Sequence, residues 1–289
     1  MTLIIAFKGK APADVGGETV IIGSDSRETY GYLTIHPTKK IIPIIVRSGE
    51  SDIQLCVVAG SGDSAVLKNV IEIIRKILED KTINEWSGRR PTYDQIVNAM
   101  VLIEQAVINK LAYYRDSGLS IDVSIVLGGV DPNGKAFLWE LDGRGVAHKI
   151  DDFPSYTCIG SGFPLGGNLL LQQFLDPALI MDLARGSLFV AYVIDQVSQV
   201  DPAVGPFDGE IAVLNKNGIF FLNKNQLPDI KQEIRVRQQV LRKLFMTFDL
   251  VKGAANLDKA ITQGLALLKA KQEEEAKQEK PPTTTEPSK

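Results

Sequence analysis

An α+β chain folded as a four-layer αββα sandwich, with an added C-terminal helical segment, is what the sequence predicts. Segments of strand and helix character follow one another in the order strands, helices, strands, helices, strands. The strands are short and almost continuously apolar, as expected when both faces of a sheet are covered by other layers. The 289 residues, 44% of them hydrophobic, suffice to fill such layers in one domain.

The elements follow in chain order. Leu3 to Phe7, Thr19 to Ser24, Ile41 to Val46 and Gln54 to Ala59 are β-rich and bounded by turn residues, which predicts the first strands. From Asp63 to Asp80, Val66, Leu67, Val70, Ile71, Ile74, Ile77 and Leu78 recur at helical spacing; Thr92 to Arg115 repeats the pattern. Ile121 to Gly128, Ala136 to Asp142 and Tyr156 to Gly160 return to strand character around the turn Asp131-Pro132-Asn133-Gly134. Leu165 to Phe174 and Ala178 to Val200 read as helices separated at Asp176-Pro177. Gly209 to Leu222 reads as a hairpin over Asn215-Lys216-Asn217-Gly218. The predicted sandwich domain spans residues 2–225. A helical extension over 226–280 follows, with a basic amphipathic stretch from Pro228 to Leu250 and a second helical stretch from Leu257 to Lys280. Residues 281–289 have the composition of a disordered tail.

Composition narrows the function classes. A net charge of −3 with 23% charged residues does not suit a nucleic-acid binder. Apolar runs such as Leu188 to Ile194 fall well short of the roughly 20 residues of a membrane helix, and no basic leader with an apolar core opens the chain. Cys56 and Cys158 are too few for a disulfide framework and read as inert core residues, consistent with a reducing compartment; a cytoplasmic protein is expected. His36 and His148 lie far apart and without a ligand array, so neither a zinc site nor a Ser-His-Asp triad is expected. No cofactor is implied.

Thr2 stands directly behind Met1 and opens the apolar run to Phe7. A threonine hydroxyl is a poor nucleophile that needs a neighbouring proton acceptor, and a free α-amino group, with a pKa of roughly 7.7–8.0, is one. Removal of Met1, which a small second residue permits, would put both groups on one residue. Asp25 and Lys40 suit the same chemistry, because a cation beside the hydroxyl favours its ionised form and a carboxylate beside that cation holds it in place. Taken singly, each also fits an ordinary ion pair at a strand end.

The segment Gly23-Ser24-Asp25-Ser26-Arg27-Glu28-Thr29-Tyr30-Gly31, followed by Lys39-Lys40-Ile41, resembles the G-x-D-S-R-x-T…K-I signature of proteasome β subunits, which are N-terminal-nucleophile hydrolases. Val57-Val58-Ala59-Gly60 with Asp63, Cys158-Ile159-Gly160-Ser161-Gly162, and Asp201-Pro202-Ala203-Val204-Gly205-Pro206 extend the resemblance over roughly residues 2–225. It implies Thr2 as nucleophile, Asp25 and Lys40 as its partners, Gly60 as oxyanion donor, and Ser161 and Asp201 beside the threonine. It also implies Thr29 as the residue whose backbone holds extended substrate, and Val58 as the shaper of an apolar first substrate pocket. The Asp25–Lys40 interval is one residue shorter than the usual pattern, which leaves Lys39 as a rival; Lys40 is preferred because it directly precedes Ile41. The family serine is Val204 here and its second glycine is Pro206.

The resemblance implies a threonine-type hydrolase of peptide or other amide bonds that forms an ester on Thr2 and assembles with copies of itself in a ring or stack. Two other outcomes stay open. An amine that intercepts the ester would make the same site a peptide ligase, and the loss of the family serine fits a catalytically silent scaffold subunit.

Overall fold

A computed structural model describes residues 2–30, 33–35, 39–150, 155–175, 182–208, 210–247, 262 and 266. Outside them lie His36, Gly209, the first residues of the helix expected from 178, the expected helical stretch 257–280 apart from 262 and 266, and the expected tail 281–289. The chain divides into two compact units, Met1–Ile230 and Lys231–Lys289.

The first unit contains two five-stranded antiparallel sheets. In the first, the order is β10 (Tyr156–Ile159), β1 (Ile4–Lys10), β2 (Glu18–Ser24), β11 (Glu210–Asn215) and β12 (Gly218–Phe221). In the second it is β5 (Ile41–Ser48), β6 (Ser51–Gly62), β7 (Val123–Val130), β8 (Ala136–Leu141) and β9 (Ala147–Lys149). A small hairpin of β3 (Glu28–Tyr30) and β4 (Leu33–Ile35) stands apart from both sheets.

Strand alternation sorts the apolar side chains into layers. Ile4, Ala6, Val20, Ile22, Ala212 and Leu214 of the first sheet meet Val57, Ala59, Val126 and Leu138 of the second in one buried cluster. The second sheet's opposite face, with Ile44, Cys56, Val58, Ile125 and Leu127, packs on α1 (Ser64–Asn84) and α2 (Tyr93–Asp116). The first sheet's opposite face meets α4 (Leu183–Val200): Phe7 stands edge-on to Phe189, with ring centroids 5.7 Å apart. A Cβ at Gly23 would reach within 2.2 Å of Val190, and one at Gly186 within 1.9 Å of Ile21, so two glycines let helix and sheet approach. The result is the expected αββα sandwich.

Several elements differ from the sequence reading. The helix expected from Leu165 begins as a π-helical turn, Phe163–Gly167, that runs into the short α3 (Asn168–Phe174). The hairpin β3–β4 and the strand β9 are three residues long each, too short to show a period, and were not expected. Helix α2 has the length and composition of a membrane span, contrary to the expectation that no segment approached one. Its stripe Ile96, Ala99, Met100, Ile103, Val107 and Leu111 is instead packed in the cluster against the second sheet. The basic stretch expected from Pro228 is seen as α5, Leu227–Thr247. Burial pushes the thiols of Cys56 and Cys158 above the usual range, which makes both poor nucleophiles.

Arg90, in the connection between α1 and α2, ties the two sheets together. Its guanidinium donates to the carbonyls of Val130, at the end of β7, and of Lys216 (2.7 Å) and Asn215 (3.1 Å), in the β11–β12 hairpin. Burial lowers its pKa and the charge of Asp131 opposes that shift. Arg90→Ala leaves three carbonyls without their charged donor and is expected to cost about 1.5–3 kcal/mol. Urea unfolding would show this as a lower midpoint with an unchanged slope.

Candidate active site

The site forms where β1 begins, because Asp25 is completely buried and its carboxylate must find donors. Asp25 directly follows β2, whose pairing Ile4↔Ser24 brings it beside the start of β1. Its Oδ1 accepts from Thr2 Oγ1 (2.5 Å), Leu3 N (2.8 Å) and Lys40 Nζ (2.7 Å). Its Oδ2 accepts from Gly205 N (2.8 Å) and Arg27 N (3.1 Å). Lys40 Nζ also donates to Thr2 Oγ1 and to the Arg27 carbonyl. Thr2 is 4% exposed, so hydroxyl, ammonium and carboxylate meet almost out of reach of solvent, where their interactions are stronger than in water.

Of the two candidate lysines, Lys40 occupies the site. Lys39 is exposed, with its Nζ 5.9 Å from the centre of the Phe221 ring. Glu210 explains the choice and was missed in the sequence. Its Oε1 accepts from Lys40 N (2.8 Å) and Ile41 N (3.0 Å), and its Oε2 from Lys40 N (2.9 Å) and Ser24 Oγ (2.7 Å). One carboxylate thus fixes the backbone carrying the lysine and the residue before Asp25. A lone glutamate opening a predicted strand offers no pattern by which to find it.

Gly60 lies near the end of β6, paired with Ile125. The β5–β6 ladder closes at Ile41↔Ala59, so Gly60 and Lys40 are the next residues along the two strands. On the other side of Thr2, Gly160 adopts φ +96°, and a Cβ there would come within 2.1 Å of the Thr2 carbonyl oxygen. Gly162 N donates to that same oxygen at 3.5 Å. Ser161 sits between these glycines, and its buried Oγ has no hydrogen-bond partner among the described residues.

Asp201 caps the C-terminal end of α4 and is 3% exposed; its Oδ1 accepts Ala203 N at 2.9 Å, while its Oδ2 has no partner among the described residues. Val204, in place of the family serine, is 1% exposed and offers neither atom a hydrogen bond. Gly205 remains necessary, since a Cβ there would lie 2.6 Å from Arg27 Cβ and 3.1 Å from Asp25 Oδ2.

The two substrate-contacting expectations fall on different surroundings. Thr29 is central in β3, paired with Thr34 across the small hairpin. Val58 is completely buried in the cluster shared by the second sheet, α1 and α2.

Four layers closed around a buried Thr-Asp-Lys cluster just ahead of the first strand place the chain in the class of proteasome-type sandwiches. The Proteasome subunit family model matches residues 13–204, and the chain belongs to the proteasome subunit family. No curated protein sequence matches it. Among solved structures it is similar to a Gly-1 mutant of Anbu from Hyphomicrobium sp. strain MC1, with a TM-score of 0.63 and 16% identity over 86% of this chain and 98% of that one. Anbu, the ancestral beta-subunit, from Yersinia bercovieri gives 0.61 and 16% over the same shares. The helical assembly of the Anbu complex from Pseudomonas aeruginosa gives 0.61 and 17% over 86% and 97%.

Glu210→Ala would strand the backbone N–H groups of Lys40 and Ile41, at a cost of about 1–3 kcal/mol in urea unfolding, with Glu210→Gln costing less. Gly205→Ala, which crowds both Asp25 and Arg27, is expected to lower the melting temperature more than Gly143→Ala, where the nearest atom to a Cβ is the Val123 carbonyl oxygen at 3.6 Å.

Proposed function

We propose that the protein is a threonine-type N-terminal-nucleophile hydrolase of peptide or other amide bonds, active once Met1 is removed. The observation that carries this reading is the buried contact of Thr2 Oγ1 with Asp25 and Lys40. The Thr2 hydroxyl gives its proton to the freed α-amine and Oγ1 bonds to the substrate carbonyl carbon. The Lys40 ammonium stabilises the ionising oxygen, and Asp25 keeps that ammonium in position. The Gly60 N–H serves the developing oxyanion. The C–N bond then breaks as the amine's proton passes to the leaving nitrogen. Water next adds to the ester carbon, Oγ1 leaves with a proton, and the acid departs.

The freed amine also accounts for two buried atoms. Ser161 Oγ and Asp201 Oδ2 lack partners among the described residues, and a buried unpaired polar group costs about 1–3 kcal/mol. An ammonium or amine at Thr2 would serve as their partner. Thr29 would hold the substrate backbone in extended form. Val58, on the same face of β6 as Gly60, would shape the first pocket only from behind its wall, since its side chain is completely buried. Because the Anbu complex of Pseudomonas aeruginosa forms a helical assembly, self-assembly in a ring or stack belongs to the same proposal, as does a cytoplasmic location.

A catalytically silent subunit is the second reading, favoured by Val204, which removes the hydroxyl that would help orient the amine. Interception of the ester by an amine in place of water is a third outcome of the same chemistry.

Intact mass with and without a threonine-directed β-lactone distinguishes the first two. The expected result is a chain lacking Met1 that gains one inhibitor mass, with no gain in Thr2→Ala and labelling slowed by about 100-fold or more in Lys40→Ala. A retained Met1, or a free Thr2 that never reacts, would establish the silent reading.

A further inference from the structure

An open cavity of about 450 Å³ reaches Gly160, the residue packed on the Thr2 carbonyl. Its walls include Ser124, Glu140, Tyr156, Thr157, Gly160 and Asn168. Two walls border the candidate site. Gly160 packs on the Thr2 carbonyl, and Ser124 is opposite Ser61, the residue after Gly60. The cavity therefore begins where the turn beside the nucleophile and the strand of the candidate oxyanion donor come together.

Sheet order assigns the cavity a direction. Strand β1 is flanked by β2, which leads to Asp25 and on to Thr29, and by β10, which leads to Gly160. On the proposed reading, substrate held along Thr29 would lie on the β2 side, which would put the part beyond the scissile bond on the β10 side, toward the cavity.

Glu140 is the charged residue among the lining residues, set beside the apolar Ile150, Ile159 and Phe163. Glu140 Oε2 accepts the Thr157 hydroxyl, and its other oxygen takes no hydrogen bond from the described residues. Asn168 Oδ1 accepts the Tyr156 hydroxyl at 2.9 Å, which aims that amide toward the same wall. A half-buried carboxylate with open acceptor capacity suits a cationic group, whose charge it neutralises and whose N–H it accepts. We infer that this cavity is a subsite for the residue following the cleaved bond, selecting a lysine or arginine side chain through Glu140. The assignment to the leaving side rests on the hydrolase reading, whereas occupancy by a cationic side chain does not.

Binding tests it without catalysis. N-acetyl-Lys-Ala-Ala and N-acetyl-Leu-Ala-Ala, each joined through its C-terminus to a fluorophore, are titrated by anisotropy against Thr2→Ala protein. The lysine peptide is expected to bind more tightly by about tenfold, the advantage to vanish in Glu140→Gln, and the leucine peptide to be unaffected. Asn168→Asp, on the partly exposed α3, is expected to enlarge the lysine preference and provides a second readout should Glu140→Gln fold poorly. Equal affinity for the two peptides, no binding of either, or a preference unmoved by both substitutions overturns the inference. A Thr2 that resists the β-lactone in the wild-type chain would instead remove the hydrolase reading and leave the binding result standing.

Discussion

The desolvated carboxylate of Asp25 is the constraint from which the site follows. A completely buried carboxylate is tolerated only when it is paired and hydrogen-bonded, and here donors come from Thr2, Leu3, Arg27, Lys40 and Gly205. Those donors belong to the start of β1, the end of β2, the approach to β5 and the loop after α4. Satisfying one charge therefore draws four separate segments to a point, and that point is Thr2, just ahead of the first strand. The Thr2 hydroxyl is held there as one donor among several, so its position is set by the stability of the fold as much as by any chemistry it performs.

A second carboxylate does for the backbone what Asp25 does for side chains. Glu210 accepts the N–H groups of Lys40 and Ile41 together with the Ser24 hydroxyl. Lysine has a long, flexible stem and loses side-chain entropy when its ammonium is fixed. Anchoring the backbone at its root removes one source of that freedom, and the Arg27 carbonyl and Asp25 remove the rest. Against this ordered half stands a half with unused capacity: Ser161 Oγ and Asp201 Oδ2, near the apolar Val204, are buried without partners among the described residues. The asymmetry separates a fully hydrogen-bonded half of the site from a half whose buried oxygens keep unused capacity among the described residues.

Much of the fold was legible because its elements are periodic. The apolar residues of α1 and α2 recur at helical spacing, and the core strands are continuous runs of β-branched residues, so the layer order could be read before any contact was known. Lengths were less legible, since β6 runs from Ser51 to Gly62 through polar and glycine residues that only the ladder holds extended. Hairpins of three-residue strands and the π-helical turn over Phe163–Gly167 have no repeat to detect.

The sequence by itself determined the layer order, the family signature and the residues Thr2, Asp25, Gly60, Ser161 and Asp201, because these sit in short local motifs whose spacing survives in one dimension. Tertiary structure decided what depends on convergence. The sequence already favoured Lys40 over its neighbour Lys39, but what holds it, Glu210, is 170 positions away along the chain, and Asp25 finds Gly205 180 positions away. Neither pairing leaves a local pattern, because the need of a buried carboxylate for donors is met by whatever the packed layers bring within reach.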